Sequence, residues 1–141
     1  MQTIIGQEFL KKVVPIIEGS KKSIKIIVFD WRWYGDDPAN PVQLFNQAIV
    51  RAVRRGVKIE VIGNSEPVLS TLRSVGVQAR KIVSKNLVHA KMIIIDDVDV
   101  VVGSHNFTQS AFTKNHEVSL YIQAAPQAQD LIKYFEKLWL C

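Results

Sequence analysis

Val88–Asn106 reads VHAKMIIIDDVDVVVGSHN, two apolar runs rich in β-branched residues separated by a short acidic stretch. Met92 to Ile95 and Val100 to Val102 have the composition of strands. Asp96-Asp97-Val98-Asp99 suits a four-residue turn, so the stretch is predicted to be a β-hairpin. With the turn at residues 96–99, antiparallel partners sum to 195. Ile95 then pairs with Val100, Lys91 with Ser104, and His89 with Asn106.

Alternation along a strand puts His89 and Lys91 on one face, and the residues opposite them, Ser104 and Asn106, share that face. An imidazole, an ammonium, a hydroxyl and an amide are thus expected at the open end of a hairpin. Its other inward positions, Ile93, Ile95, Val100 and Val102, are aliphatic. Asp96 lies five residues from Lys91, roughly 16 Å at about 3.3 Å per residue. That is too far to share their chemistry, and a structural place at the turn is expected. Gly103 marks a close approach of backbones. His105 alternates away from Ser104 and Asn106 and, like His116, is expected to be structural or at the rim.

Upstream, residues 8–18 carry apolar side chains at helical spacing, with Gly19 where a C-cap would fall. Pro15 should then sit in the first turn or make a kink. Ser23 to Phe29 is a central strand by its apolar, β-branched run. Asp30–Asn40, DWRWYGDDPAN, has the composition of an exposed loop. Its Trp31, Arg32, Trp33 and Tyr34 suit stacking on bases, contact with lipid, or cover for the sheet edge. Asn40-Pro41 opens a helix that Gly56 closes, with Leu44, Phe45, Ala48, Ala52 and Val53 as its buried stripe. The cations Arg51, Arg54, Arg55 and Lys58 near its end suit the helix dipole and a solvated face. A strand at 57–62, a helix at 66–74 and a strand at 77–83 follow. After the hairpin come a short turn or helix at 106–112, a strand at 117–123 and a helix at 126–140, with Ile132, Phe135, Trp139 and Leu140 facing the sheet. This alternation predicts an α/β domain with a mixed, largely parallel sheet flanked by helices on both faces.

At 141 residues the chain is expected to be a single domain, 1–141, able to bury about two-thirds of its unfolded surface without staples. Cys141 has no internal partner, and there is no CxxC or HExxH, so no metal or other cofactor is expected. No signal-like N-terminus or membrane-length apolar run appears, which makes the cytoplasm the expected location. The net charge of +5 comes from the first 58 residues, where ten Lys and Arg face five Asp and Glu. A basic domain of this kind favours polyanionic partners.

His89-x-Lys91, Asp96, and Gly103-Ser104-x-Asn106 fall at the spacing HxKxxxxDxxxxxxGSxN, which resembles the signature of the phospholipase D superfamily. Asn115-x-Glu117 downstream and the length of the chain are similar to the small bacterial Nuc-type endonucleases with a single motif. The resemblance implies phosphodiester cleavage without divalent ions, through a phosphohistidine on His89. Lys91, Asn106 and Ser104 would donate to the phosphate, and Glu117 would orient an imidazole. Since one HxK supplies one imidazole, the resemblance also implies a C2 homodimer that shares the site. Nucleic acid is the expected substrate. Phospholipid such as cardiolipin is the alternative, as is a role as the nuclease domain of a larger restriction-type enzyme.

Overall fold

Short β-branched runs alternate with amphipathic segments along the chain, and the computed structural model, which describes residues 1–141, folds them accordingly. The elements are β1 (Gln2–Ile5), α1 (Phe9–Glu18), β2 (Ser23–Ile27), α2 (Pro41–Arg54), β3 (Lys58–Ile62), α3 (Glu66–Ser74) and β4 (Gln78–Arg80). They continue with β5 (Met92–Ile95), β6 (Asp99–Gly103), α4 (Gln109–Thr113), β7 (Val118–Gln123) and α5 (Ala125–Trp139). The strands form one sheet in the order β1-β7-β6-β5-β2-β3-β4.

The sheet is mixed, with helices on both faces. Only β2, β3 and β4 pair in parallel, whereas the β2–β5, β5–β6, β6–β7 and β1–β7 ladders are antiparallel. The expectation of a mixed, largely parallel sheet therefore holds for strand direction, which only β5 and β7 oppose, while four of the six ladders are antiparallel. The reason is the hairpin, which inserts β5 beside β2 and reverses the chain twice before β7. On one face the sheet packs against α1, α2, α3 and α4 around Phe9, Phe45, Phe107 and Phe112. On the other, α5 covers a smaller core with Ala128, Ile132 and Phe135.

Hairpin register differs from expectation by one residue. Ile95 pairs with Asp99 and Met92 with Val102, so partners sum to 194 and the loop is Asp96-Asp97-Val98. Asp96 and Asp97 hold φ of 53° and 62°, and Val98 N–H donates to Ile95 O at 3.2 Å. Two successive left-handed residues make the tight return of a type I′ turn, which Asp tolerates better than most side chains. As a result Lys91 lies opposite Gly103 and not opposite Ser104, and the Gly103 N–H donates to Lys91 O at 3.3 Å. Ile93, Ile95 and Val101 face the larger core, Val100 joins Met92 and Ile94 under α5, and Val102 is exposed.

Other expectations are corrected in detail. Strand β1 was not anticipated. Pro15 does not sit in the first turn but late in α1, on its exposed side. Leu44 and Leu140 are exposed, because Val42 and Ile49 complete the stripe of α2 and α5 ends before Leu140. The Asp30–Asn40 segment is not simply an exposed loop, since Trp31 is 2% exposed. The Trp31 indole N–H donates to Asn46 Oδ1 at 2.7 Å, and its ring meets Phe107 edge-on. The cations near the end of α2 form the expected solvated face, all four being exposed, and two of them also bond α1 and its C-terminal end: Arg51 pairs with Glu18 at 3.0 Å and Arg55 donates to the carbonyls of Ile17 and Ser20.

Asp96 locks the turn to the start of β2. Its carboxylate accepts N–H bonds from Lys21, Lys22 and Ser23 at 3.0, 2.7 and 3.1 Å. Partial burial pushes its pKa up, but these three donors outweigh it and hold the group below the ordinary Asp value. A depressed carboxyl contributes stability above its unfolded pKa and loses it as pH falls through the folded one. Asp96→Asn should therefore cost on the order of 1–2 kcal/mol at neutral pH. In denaturant titrations the gap from the parent should close as the solution is acidified below the carboxylate range, and a gap independent of pH would refute this account.

Candidate active site

Four segments meet beyond the carboxyl end of β2. Phe29 and Asp30 follow β2, His89 and Lys91 end the β4–β5 connection, Ser104 and Asn106 follow β6, and Glu117 precedes β7. Backbone bonds fix the meeting. Phe107 N–H donates to Asp30 O and Arg32 N–H to Phe107 O, both at 3.0 Å, so the segments after β2 and β6 run together. Asn64 ties in the third, with its amide donating to Phe29 O at 3.1 Å and Val88 O at 3.2 Å.

His89 is exposed and rests on Phe29, ring centroids 4.7 Å apart. Half-buried Lys91 brings its ammonium within 3.1 Å of His89 Nδ1 and 3.4 Å of Nε2, and donates to His89 O at 3.0 Å. Asn106 Oδ1 accepts from Asp30 N–H at 3.1 Å, which turns the two Nδ2 donors away from that bond. An exposed imidazole, a cation against it and an oriented amide are thus within one small region. Such a group can attack phosphorus and stabilise its anionic oxygens.

Ser104 departs from the expected quartet. The one-residue change of register takes it off the face of Lys91, and its hydroxyl donates to Glu117 Oε1 at 2.5 Å while accepting from Val118 N–H at 3.0 Å. Glu117 Oε2 accepts from Asn115 Nδ2 at 3.1 Å, so within the chain this carboxylate orients a hydroxyl and an amide and bonds no imidazole. Gly103 is required by sterics, because a Cβ there would run into the side chain and backbone of Ser119. Asp96 lies at the far end of the hairpin.

His105 is structural. It is 1% exposed, stacks near Phe9, and hydrogen-bonds Ser119 Oγ at 2.7 Å and Gly6 O at 2.9 Å. Because Gly6 O can only accept, Nε2 carries the proton and Nδ1 takes the Ser119 hydroxyl. Burial lowers its pKa and keeps the ring neutral. His116 is exposed at the surface. Phe29, Asp30 and Asn64 were not anticipated. Only their position at or just past the ends of predicted strands hinted at a role, since the loops that follow strands are where such sites gather.

Residues 13–139 match the family described as cardiolipin synthase, PLD-like domain. Together with the HxK and GSxN segments, this establishes that the chain belongs to the phospholipase D superfamily. Among solved structures it is similar to Nuc of Salmonella typhimurium, a phospholipase D family member, with a TM-score of 0.83 at 22% identity, covering 98% of this chain and 93% of that one. NucT from Helicobacter pylori aligns with a TM-score of 0.78 at 20% identity over 98% and 94% of the two chains. A mitochondrial cardiolipin hydrolase of Xenopus laevis is 28% identical over 93% of this chain and 60% of its own length. The chain spans from 26% to 60% of the length of the first curated relatives it matches. As a single-motif member it resembles Nuc in fold. No helix is long and apolar enough to cross a membrane.

Burial lowers the pKa of Lys91, and the carboxylate of Glu117 acts in the opposite sense. Glu117→Gln removes the countering charge, so Lys91 should titrate at still lower pH in that variant. Side-chain NMR of the lysine Nζ and Cε in parent and variant measures this, and an unchanged Lys91 titration would break the electrostatic link.

Proposed function

We propose that this chain is a metal-independent phosphodiesterase, and most specifically a nuclease, that acts as a homodimer with one His89 from each copy at a shared site. The observation that carries the reading is the His89–Lys91 pair beside the oriented amide of Asn106, in a chain of this superfamily.

The chemistry follows from the residue types. A ring nitrogen of one His89 attacks phosphorus, forming a P–N bond as the P–O bond to the leaving group breaks. The partner copy's His89, protonated, gives its proton to the leaving oxygen. That same ring then takes a proton from water, whose oxygen attacks phosphorus and breaks the P–N bond. Lys91 and Asn106 donate to the non-bridging oxygens throughout, where charge accumulates. Nowhere in the chain do three or more His, Cys, Asp or Glu side chains gather as metal ligands. Ser104 and Glu117 serve from one step further out, by holding the backbone at the start of β7 against the end of β6.

The surface beside the site supports the dimer. Ile5 and Val118 are direct partners in the β1–β7 ladder, and Ser104 N–H bonds Val118 O, so the three share a face of the sheet. Ile5 is 56% exposed, Val118 61% and Val102 39%, because α5 lies over β2, β5 and β6 and leaves this end bare. A twofold axis pairs such an apolar patch with itself and brings the adjoining active-site residues of two copies together.

The lipid reading is favoured by one observation, the likeness to cardiolipin hydrolases, and the same assay separates the two. With EDTA present, the parent should hydrolyse bis(p-nitrophenyl) phosphate and DNA or RNA, with cardiolipin vesicles as the lipid arm. His89→Ala should lower turnover by at least about a thousandfold, since the nucleophile itself is lost. A purified His89→Ala protein as active as the parent would remove His89 from the reaction. Val118→Arg should make the protein monomeric by light scattering and cost activity in proportion, and a fully active monomer would refute the shared site.

A further inference from the structure

Two grooves leave the active site in different directions, divided by the consecutive residues Phe29 and Asp30. The first, of about 420 Å³, runs under the β4–β5 connection and is lined by Phe29, Asn64, Lys81, Lys85, Asn86 and Val88 among others. The second, of about 480 Å³, runs past Asp30 and Asn106 toward Arg32, Gln109, Lys114 and Asn115. Each touches the site at one catalytic group, since Phe29 carries His89 and Asp30 holds Asn106.

In the first groove Lys81 and Lys85 are exposed cations that join none of the chain's salt bridges. Lys12, Lys22 and Lys25, by contrast, are paired with carboxylates. These two have no acidic neighbour among the groove residues, and the segment that carries them is anchored rather than free. Asn64 bonds the carbonyl of Val88 and that of Phe29, which fixes the wall of the groove relative to His89. Two exposed, unpaired ammonium groups on the connection that leads to His89 suit a second anion of the same substrate.

Resting on the phosphodiesterase reading above, we propose that Lys81 and Lys85 form a subsite for a neighbouring phosphate of a single-stranded nucleic acid. The strand enters along the β4–β5 connection and leaves through the Asn106 groove. A polymer explains why both grooves open at the site, the first lined by four hydrophobic and five polar or charged residues and the second almost wholly by polar ones. In the second groove only Tyr34 of nine lining residues is hydrophobic, which gives no slot for an acyl chain. Stacking on Phe29 and Tyr34, which line one groove each, suits bases of any sequence.

The test separates this subsite from the chemistry. Lys81→Ala/Lys85→Ala should leave turnover of bis(p-nitrophenyl) phosphate, which has one phosphate, unchanged, and this also reports correct folding. For a single-stranded oligonucleotide the double variant should lose roughly tenfold in kcat/KM, carried by KM. In binding titrations by fluorescence anisotropy, the slope of log K against log salt should fall by about 0.7, the contribution of one neutralised phosphate on a single strand. Lys81→Arg/Lys85→Arg should restore both. An unchanged slope and KM would overturn the subsite while leaving the phosphodiesterase reading intact. A parent inactive on every phosphodiester would overturn that reading, and the binding arm would still decide the subsite. The same connection exposes Val83 and Leu87, so cardiolipin vesicles form a further arm. Loss of vesicle binding in the double variant, with oligonucleotide binding unaltered, would assign the lysines to a lipid surface and overturn the proposal.

Discussion

Both faces of the β5–β6 hairpin are covered, and this double burial is the constraint on which the site depends. Ile93 and Ile95 are packed against the aromatic core, Met92 and Ile94 against α5. A slip of one residue would exchange the two sets between cores of different shape, so the register is held from both sides. That register sets where the strands end, and the strand ends are where His89, Lys91, Ser104 and Asn106 emerge. Asp96 secures the opposite end by gathering the backbone of Lys21 to Ser23.

The same burial explains what could be read from the sequence and what could not. Strands covered on one face announce their register through alternation of polar and apolar residues. MIII and VVV do not alternate, so hairpin identity was legible while its register was not. The loop length rested on Asp96 and Asp97 taking left-handed conformations, which composition permits but does not demand. From that single residue of difference came the misplacement of Ser104. The parallel half was more legible, because caps such as Asn40-Pro41 and glycines such as Gly56, with φ of 93°, carry local signals.

Of the candidate residues, those brought together by local sequence were the easiest to place. His89 and Lys91 are two apart and meet, and Asp96 is structural at the turn. Glu117 was legible as a polar neighbour but not in its partners, since the contact with Ser104 depends on how β6 and β7 pair. Trp31 was hidden for another reason. Its Arg and Asp neighbours suggested a solvated loop, and only Asn46, fifteen residues on in α2, supplies the buried acceptor that lets the indole enter the core. Asn64 holds the site by donating its side-chain amide to the carbonyls of Phe29 and Val88, partners that residue identity alone does not announce.

Strand β1 lies against β7, so residues 2–5 find their ladder partners only among residues 118–121. Pairing across nearly the whole chain closes a long loop, and non-local contacts of this kind are slow to form. A nascent polypeptide on the ribosome therefore emerges with its first strand unmated, and Ser104 waits for Glu117 in the same way. His89 and Lys91 are synthesised well before the framework that closes around them, so the site is complete only once residues 117–121 have joined the sheet.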